Sequence, residues 1–161
     1  GALPLYRRRM VNDISENGEF FDSSFFMHKE DWDVSWRALH RGWKTVFDPT
    51  CVAIHPRSFR KGIRGGRAGI PSLLRMHTKK NELAVLLKNE FVENLLLHLP
   101  FILARQLLVL LYSTVCEPQT LGYLIHIFKE RRSLLQKRRN NLSKSRYTAK
   151  DMRVKCFSVS R

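Results

Sequence analysis

Glu30, Asp31 and Asp33 stand among aromatic residues, with Phe25-Phe26 before them, Trp32 between the two aspartates and Trp36 after them. The chain as a whole carries a formal net charge of +15, so this concentration of acid is local. A carboxylate at the mouth of a helix, partly walled by aromatic rings, can be held rigidly and still stay ionised. That suits a general base taking a proton from a substrate hydroxyl, which must come within roughly 2.6 to 3.2 Å of it. The simpler reading is that Asp31 or Asp33 only caps the helix that follows. Spacing alone leaves both open.

The elements that must position these acids can be read from the flanking sequence. Asp31 to Arg41 predicts a helix, with Trp32, Trp36 and Leu39 on one face, acid in its first turn and Gly42 as the residue that ends it. Asn17-Gly18 predicts a turn. Trp43–Phe47 alternates as a half-buried strand would, Asp48-Pro49 turns the chain, and Cys51–His55 predicts a second strand before Pro56. Residues 57–69 form a basic, glycine-rich loop. Pro71–Asn89 predicts a helix with Leu73, Leu74, His77, Leu83, Leu86 and Leu87 along it. Residues 90–116 predict one or two very apolar helices with Pro100 at the first helical position, broken by Glu117-Pro118. Leu121–Arg138 predicts a last helix, and beyond Asn140 no period is evident.

Composition narrows the class. Hydrophobic residues make up 43% of the chain, enough for a core. Residues 57–80 carry eight basic and no acidic side chains, and residues 129–161 carry twelve and two. These zones suit polyanions or an anionic lipid surface. No helix-turn-helix, zinc, RNP or KH signature accompanies them, so no nucleic-acid partner is expected. Cys51, Cys116 and Cys156 form no CxxC pair, which suits a reducing compartment with Cys51 and Cys116 buried as small apolar groups. Leu95–Val115 has about the length of a membrane span, for which roughly 20 apolar residues are needed. Arg105 interrupts it, at roughly 2.5 to 3.5 kcal/mol for a central arginine. An interfacial or buried helix is therefore expected over a span.

Residues 1–56 resemble the second half of the catalytic domain of family 2 glycosyltransferases, in the bacterial rhamnosyltransferase-like branch. The resemblance rests on Gly1, Ala2, Arg7 or Arg8, Gly18, Phe21, Asp22, Phe25, Phe26, Glu30, Asp31, Asp33, Arg37, Gly42, Trp43, Pro49 and His55. Ser23 replaces the family's Glu and Val34 its Leu. Residues 70–138, with Lys80-Asn81 and Lys88-Asn89, resemble the helical tail of that branch more loosely. The resemblance implies an α/β fold, the C-terminal part of a GT-A fold followed by amphipathic and apolar helices. The implied division is an acceptor-side half over 1–69, a membrane-associating helical extension over 70–139 and a basic tail over 140–161, partly disordered. It further implies a fragment, with the nucleotide-binding half and its metal-holding DxD motif expected before Gly1.

The implied activity is an inverting transfer of a sugar, rhamnose or a similar deoxyhexose, from a nucleotide-sugar donor to a polysaccharide or lipid-linked glycan. Asp31 matches the general base. Glu30 would orient the loop or touch acceptor hydroxyls, and Trp32, Asp33 and Arg37 would contact substrate, while Arg8, with Arg7 and Arg9, could meet acceptor phosphate or be surface charge. Arg60 and Arg64 lie on a loop that could fold over the diphosphate or be a solvated linker. A divalent metal, Mg²⁺ or Mn²⁺, would be held mainly by the DxD motif, with His55 as one further ligand or merely the end of its strand. The implied place is the cytoplasmic face of the bacterial inner membrane, peripherally bound. The rival is a non-catalytic module that binds a membrane surface or polyanion.

Overall fold

A computed structural model describes residues 3–54 and 69–157. Seven α-helices run through them: α1 (Arg8–Ile14), α2 (Glu30–His40), α3 (Ser72–Asn89), α4 (Val92–Leu97), α5 (Leu99–Cys116), α6 (Gly122–Ser143) and α7 (Ala149–Phe157). Short 3-10 turns at Ser23–Phe25 and Pro118–Thr120 join some of them.

The α/β expectation is overturned. Among the described residues there is no strand or sheet, and the one bridge, Glu16 to Glu19, closes the Asn17-Gly18 turn. Both turn residues have positive φ, 51° and 82°, as a tight hairpin turn demands. The two expected strands over 43–54 are irregular, with Val46, Phe47, Val52 and Ile54 at least 84% exposed. Alternation makes a segment fit for a sheet, but a strand exists only where a neighbour accepts its backbone hydrogen bonds. Cys51 and Cys116 are exposed rather than buried, because the first lies on this uncovered segment and the second ends the uncovered helix α5.

Several helix predictions hold. α2 spans Glu30–His40, with Glu30, Asp31 and Asp33 in its first turn and Gly42 just beyond its end at φ 82°. α5 opens with Pro100 one residue later than expected and ends at Glu117-Pro118. The tail is more ordered than expected. α6 runs on to Ser143, and α7 begins after Thr148, whose hydroxyl and amide pair reciprocally with Asp151.

Two apolar clusters hold the helices together. Met10, Ile14, Val34 and Ala38 join α1 to α2, with Tyr6, Phe20 and Trp43 against them. Phe25, Ala84, Val85 and Leu134 join the loop before α2 to α3 and α6, with Trp36 and Ile127 alongside. α3 is the central helix. Its buried face is not the leucine row but Arg75, Met76, Lys79, Lys80, Asn81, Ala84, Val85, Lys88 and Asn89. Buried charge of this density survives only when partners meet it, and those partners come from the acidic segment.

Candidate functional site

Asp22 begins the site. It caps the Ser23–Phe25 turn by accepting from the Ser24 amide at 3.0 Å and the Ser24 hydroxyl at 2.6 Å. Lys88 Nζ donates to its other oxygen at 2.8 Å, and Lys137 Nζ to the first at 2.6 Å. Burial alone would raise the Asp22 pKa, but the Lys88 charge and both lysine hydrogen bonds hold it well below the usual carboxylate range.

The loop that follows is strained. Phe26, His28 and Lys29 all have positive φ, 55°, 69° and 68°. Non-glycine residues in that region cost of order 1 to 3 kcal/mol each and persist only where surroundings hold them. Here α3 does the holding. The Asn81 side-chain amide donates to the Phe25, Met27 and His28 carbonyls at 2.7, 2.7 and 2.8 Å. Lys80 Nζ reaches the Ser24 carbonyl and lies 3.2 Å from Glu130 Oε1 on α6. Lys29 then hands the chain into α2 from a left-handed conformation, and its Nζ sits 3.3 Å from the centre of the Trp32 ring.

The acids of α2 divide. Asp33 is fully buried and binds Arg37 Nε at 2.8 Å, Lys88 Nζ at 2.9 Å and the Asn89 side-chain amide at 2.9 Å. Arg37, 2% exposed, also donates to the Ile14 and Phe20 carbonyls. Asp33 and Arg37 are thus engaged inside the molecule rather than facing a substrate. Asp31 is half-buried, and one of its oxygens accepts from the Trp32 amide at 2.9 Å. The Trp32 amide hydrogen bond favours its ionised form. Glu30 keeps a buried oxygen, Oε2, with no hydrogen-bond partner among the described residues.

Tyr6 is the site residue the sequence did not announce. Its phenol pKa is raised by burial and by the charges of Asp31 and Glu30. It is therefore a protonated hydroxyl within electrostatic reach of both carboxylates. Trp32 is 50% exposed beside them, and Arg8 is exposed at the start of α1. His55, Arg60 and Arg64 lie outside the described residues.

Lys88-Asn89 repeats, eight residues on, what Lys80-Asn81 does for the loop. Lys88 pairs with Asp22 and Asp33, while Asn89 binds Asp33 and accepts from Asn141 of α6 at 2.7 Å. The doubled Lys-Asn pair was the visible signal for this clamp. A cavity of about 230 Å³ opens beside it, lined by Glu16, Asn17, Glu19, Asp22, Ser23, Arg37, Lys88 and Lys137. Asp31 does not line it.

The one ligand in this sequence that the resemblance implies for a divalent metal, His55, lies outside the described residues. Among them no group of three or more His, Cys, Asp or Glu side chains could hold an ion. The described residues bring together an ionised carboxylate, Asp31, a second carboxylate, Glu30, and the Tyr6 phenol. Comparisons with family models, with curated proteins and with solved structures find no match to this chain.

Proposed function

We propose that this chain supplies the acceptor-side base of an inverting glycosyl transfer carried out at a membrane surface. The observation that carries the reading is Asp31, half-exposed and ionised, at the end of a strained loop that Asn81 clamps through three carbonyls. Strain of that kind marks a position whose geometry is being specified. Asp31 takes the proton of an acceptor hydroxyl as that oxygen attacks the anomeric carbon of a nucleotide-activated sugar. The bond to the diphosphate breaks on the opposite face, and the diphosphate leaves with the electron pair. Glu30 and the Tyr6 hydroxyl orient the acceptor. The donor is a deoxyhexose such as rhamnose on a nucleoside diphosphate, and the acceptor is a polysaccharide or lipid-linked glycan.

The test is Asp31→Asn in the protein expressed from its complete gene. A positioned base contributes roughly 10²- to 10⁴-fold, so transfer should fall about a hundredfold or more while nucleotide-sugar binding persists. Unchanged transfer refutes the base assignment. A second reading is a membrane-surface module without catalysis, favoured by α5, an 18-residue helix of mean hydropathy 1.7 that is only 6% buried. That module would show no transfer in either form.

A further inference from the structure

α5 exposes apolar side chains over a broad arc of its surface. At about 100° per residue, Phe101, Leu103, Leu107, Leu108, Leu110 and Leu111 spread over about half the circumference, and all six are exposed, by 76, 58, 56, 67, 37 and 54%. An apolar face this broad belongs against a protein core or in lipid, and this one is not in the core. A protein partner, or a second copy of the chain, would cover one stripe of it. Lipid would cover every side the body leaves open.

Its attachments tie it to α3. Arg105 Nη2 meets Glu82 Oε1 at 2.5 Å, and Lys79 Nζ meets Ser113 Oγ at 2.7 Å and Glu117 Oε2 at 2.9 Å. These ties hold the middle and the end of α5 to two neighbouring turns of α3. α3 buries lysines and asparagines on its other contacts and could not follow it through a bilayer. The apolar surface continues beyond α5. At the start of α6, Leu124, Ile125 and Phe128 are 44, 59 and 63% exposed. Arg131 stacks on Phe128 at 3.8 Å, an apolar body with a cationic tip that suits the headgroup boundary. From α6, His126 leads to His77 at 6.3 Å between rings, and His77 to Phe26 at 5.1 Å. Phe26 and Met27, 68 and 40% exposed, belong to the strained loop that delivers Asp31.

We propose that α5, the start of α6 and the Phe26-Met27 loop form one bilayer-binding face, with α5 lying in the plane of the membrane and the Glu30-Asp31 end of α2 held beside the headgroups. An acceptor anchored in lipid then presents its polar end to Asp31 without leaving the membrane. The inference rests on the membrane part of the proposed function and not on sugar transfer.

Vesicle flotation of the whole chain tests it, first with pure phosphatidylcholine at high salt. The face predicts binding under those conditions, because it needs apolar burial rather than anionic lipid. Leu107→Asp with Leu111→Asp should lower partitioning about tenfold or more, with the helical circular dichroism unchanged since both positions are exposed. Met27→Trp should add emission that brominated phosphatidylcholine quenches. Binding that requires phosphatidylglycerol and vanishes in salt would assign attachment to the basic tail and overturn the face. So would a double variant that binds like the parent, or an added tryptophan that escapes quenching. Resistance to alkaline carbonate would show a spanning α5 and overturn the in-plane placement. Failure to bind any vesicle would remove the membrane part of the proposed function as well. Asp31→Asn leaves partitioning unchanged throughout, so loss of transfer and loss of docking are read separately.

Discussion

Asp31 and Asp33 are two residues apart, and about 200° of helical turn separates their directions. That rotation gives them opposite fates. Asp33 points into the molecule and satisfies Arg37, Lys88 and Asn89, whereas Asp31 stays at the half-exposed mouth of α2. Removing the Asp33 charge leaves Arg37, 2% exposed, without its counter-ion, and Lys88, 1% exposed, with Asp22 alone. Breaking such a buried pair costs about 3 to 5 kcal/mol, so Asp33→Asn should shift denaturant unfolding by about 3 kcal/mol. A loss under about 1 kcal/mol would mean that water already reaches these ions. Asn81 works differently, since its neutral amide holds the loop by three carbonyls. Asn81→Ala should cost about 1 to 3 kcal/mol, the range for stranding buried polar groups. It should also speed amide exchange selectively over residues 26–31. Uniform exchange across the molecule would show that the loop holds its own shape.

At the scale of the element, α3 draws its stability from partners rather than from apolar content. Its leucines are partly exposed while its lysines and asparagines face inward, meeting Asp22, Asp33, Glu117 and Glu130. α6 closes on it through Gly122, where a Cβ would stand 3.1 Å from Met76 Sδ. α7 is a smaller unit with a local cause. The Thr148 hydroxyl accepts from the Asp151 amide at 3.3 Å and donates to the Asp151 carboxylate at 2.7 Å. Thr148→Ala should cost about 1 kcal/mol and reduce helical circular dichroism by the contribution of α7. An unaltered spectrum would show that packing of Met152 alone keeps the helix.

The whole molecule joins its acidic N-terminal region to its basic helices, so its stability should follow pH. His40 ties three parts together, with Nε2 2.8 Å from the Asn89 carbonyl of α3 and Nδ1 2.9 Å from Ser145 Oγ in the tail. Burial pushes its pKa below the ordinary value of 6.5. The unfolded chain then binds the proton more readily, so this contribution is complete above about pH 6.5 and declines as pH falls below it. His77, lowered by burial and by Lys80, acts in the same direction. Asp22, depressed by its lysines against the effect of burial, adds a second stage. Its contribution is complete above the unfolded carboxylate value near 4 and declines as pH falls further. Unfolding free energies should thus decline from about pH 6.5 and more steeply below about 4, with His40→Gln flattening most of the first decline. A stability profile level between pH 7 and 5 would contradict the neutral, buried imidazole.

The sequence by itself determined the features whose causes lie within a few residues. Asn17-Gly18 had to turn, α2 had to begin in acid and end at Gly42, and Glu117-Pro118 had to break the apolar run, because backbone dihedrals and capping are local. The doubled Lys-Asn pair was visible too, though its purpose was not. Only the tertiary structure decided which face of α3 is buried, since Lys88 lies inside because Asp22, 66 residues earlier, comes to meet it. It also decided against strands over 43–54, where the alternation was present but no neighbour among the described residues supplied a ladder. Local preference sets what a segment is able to become; burial of charge and pairing of strands depend on partners from distant parts of the chain, and those exist only once it has folded.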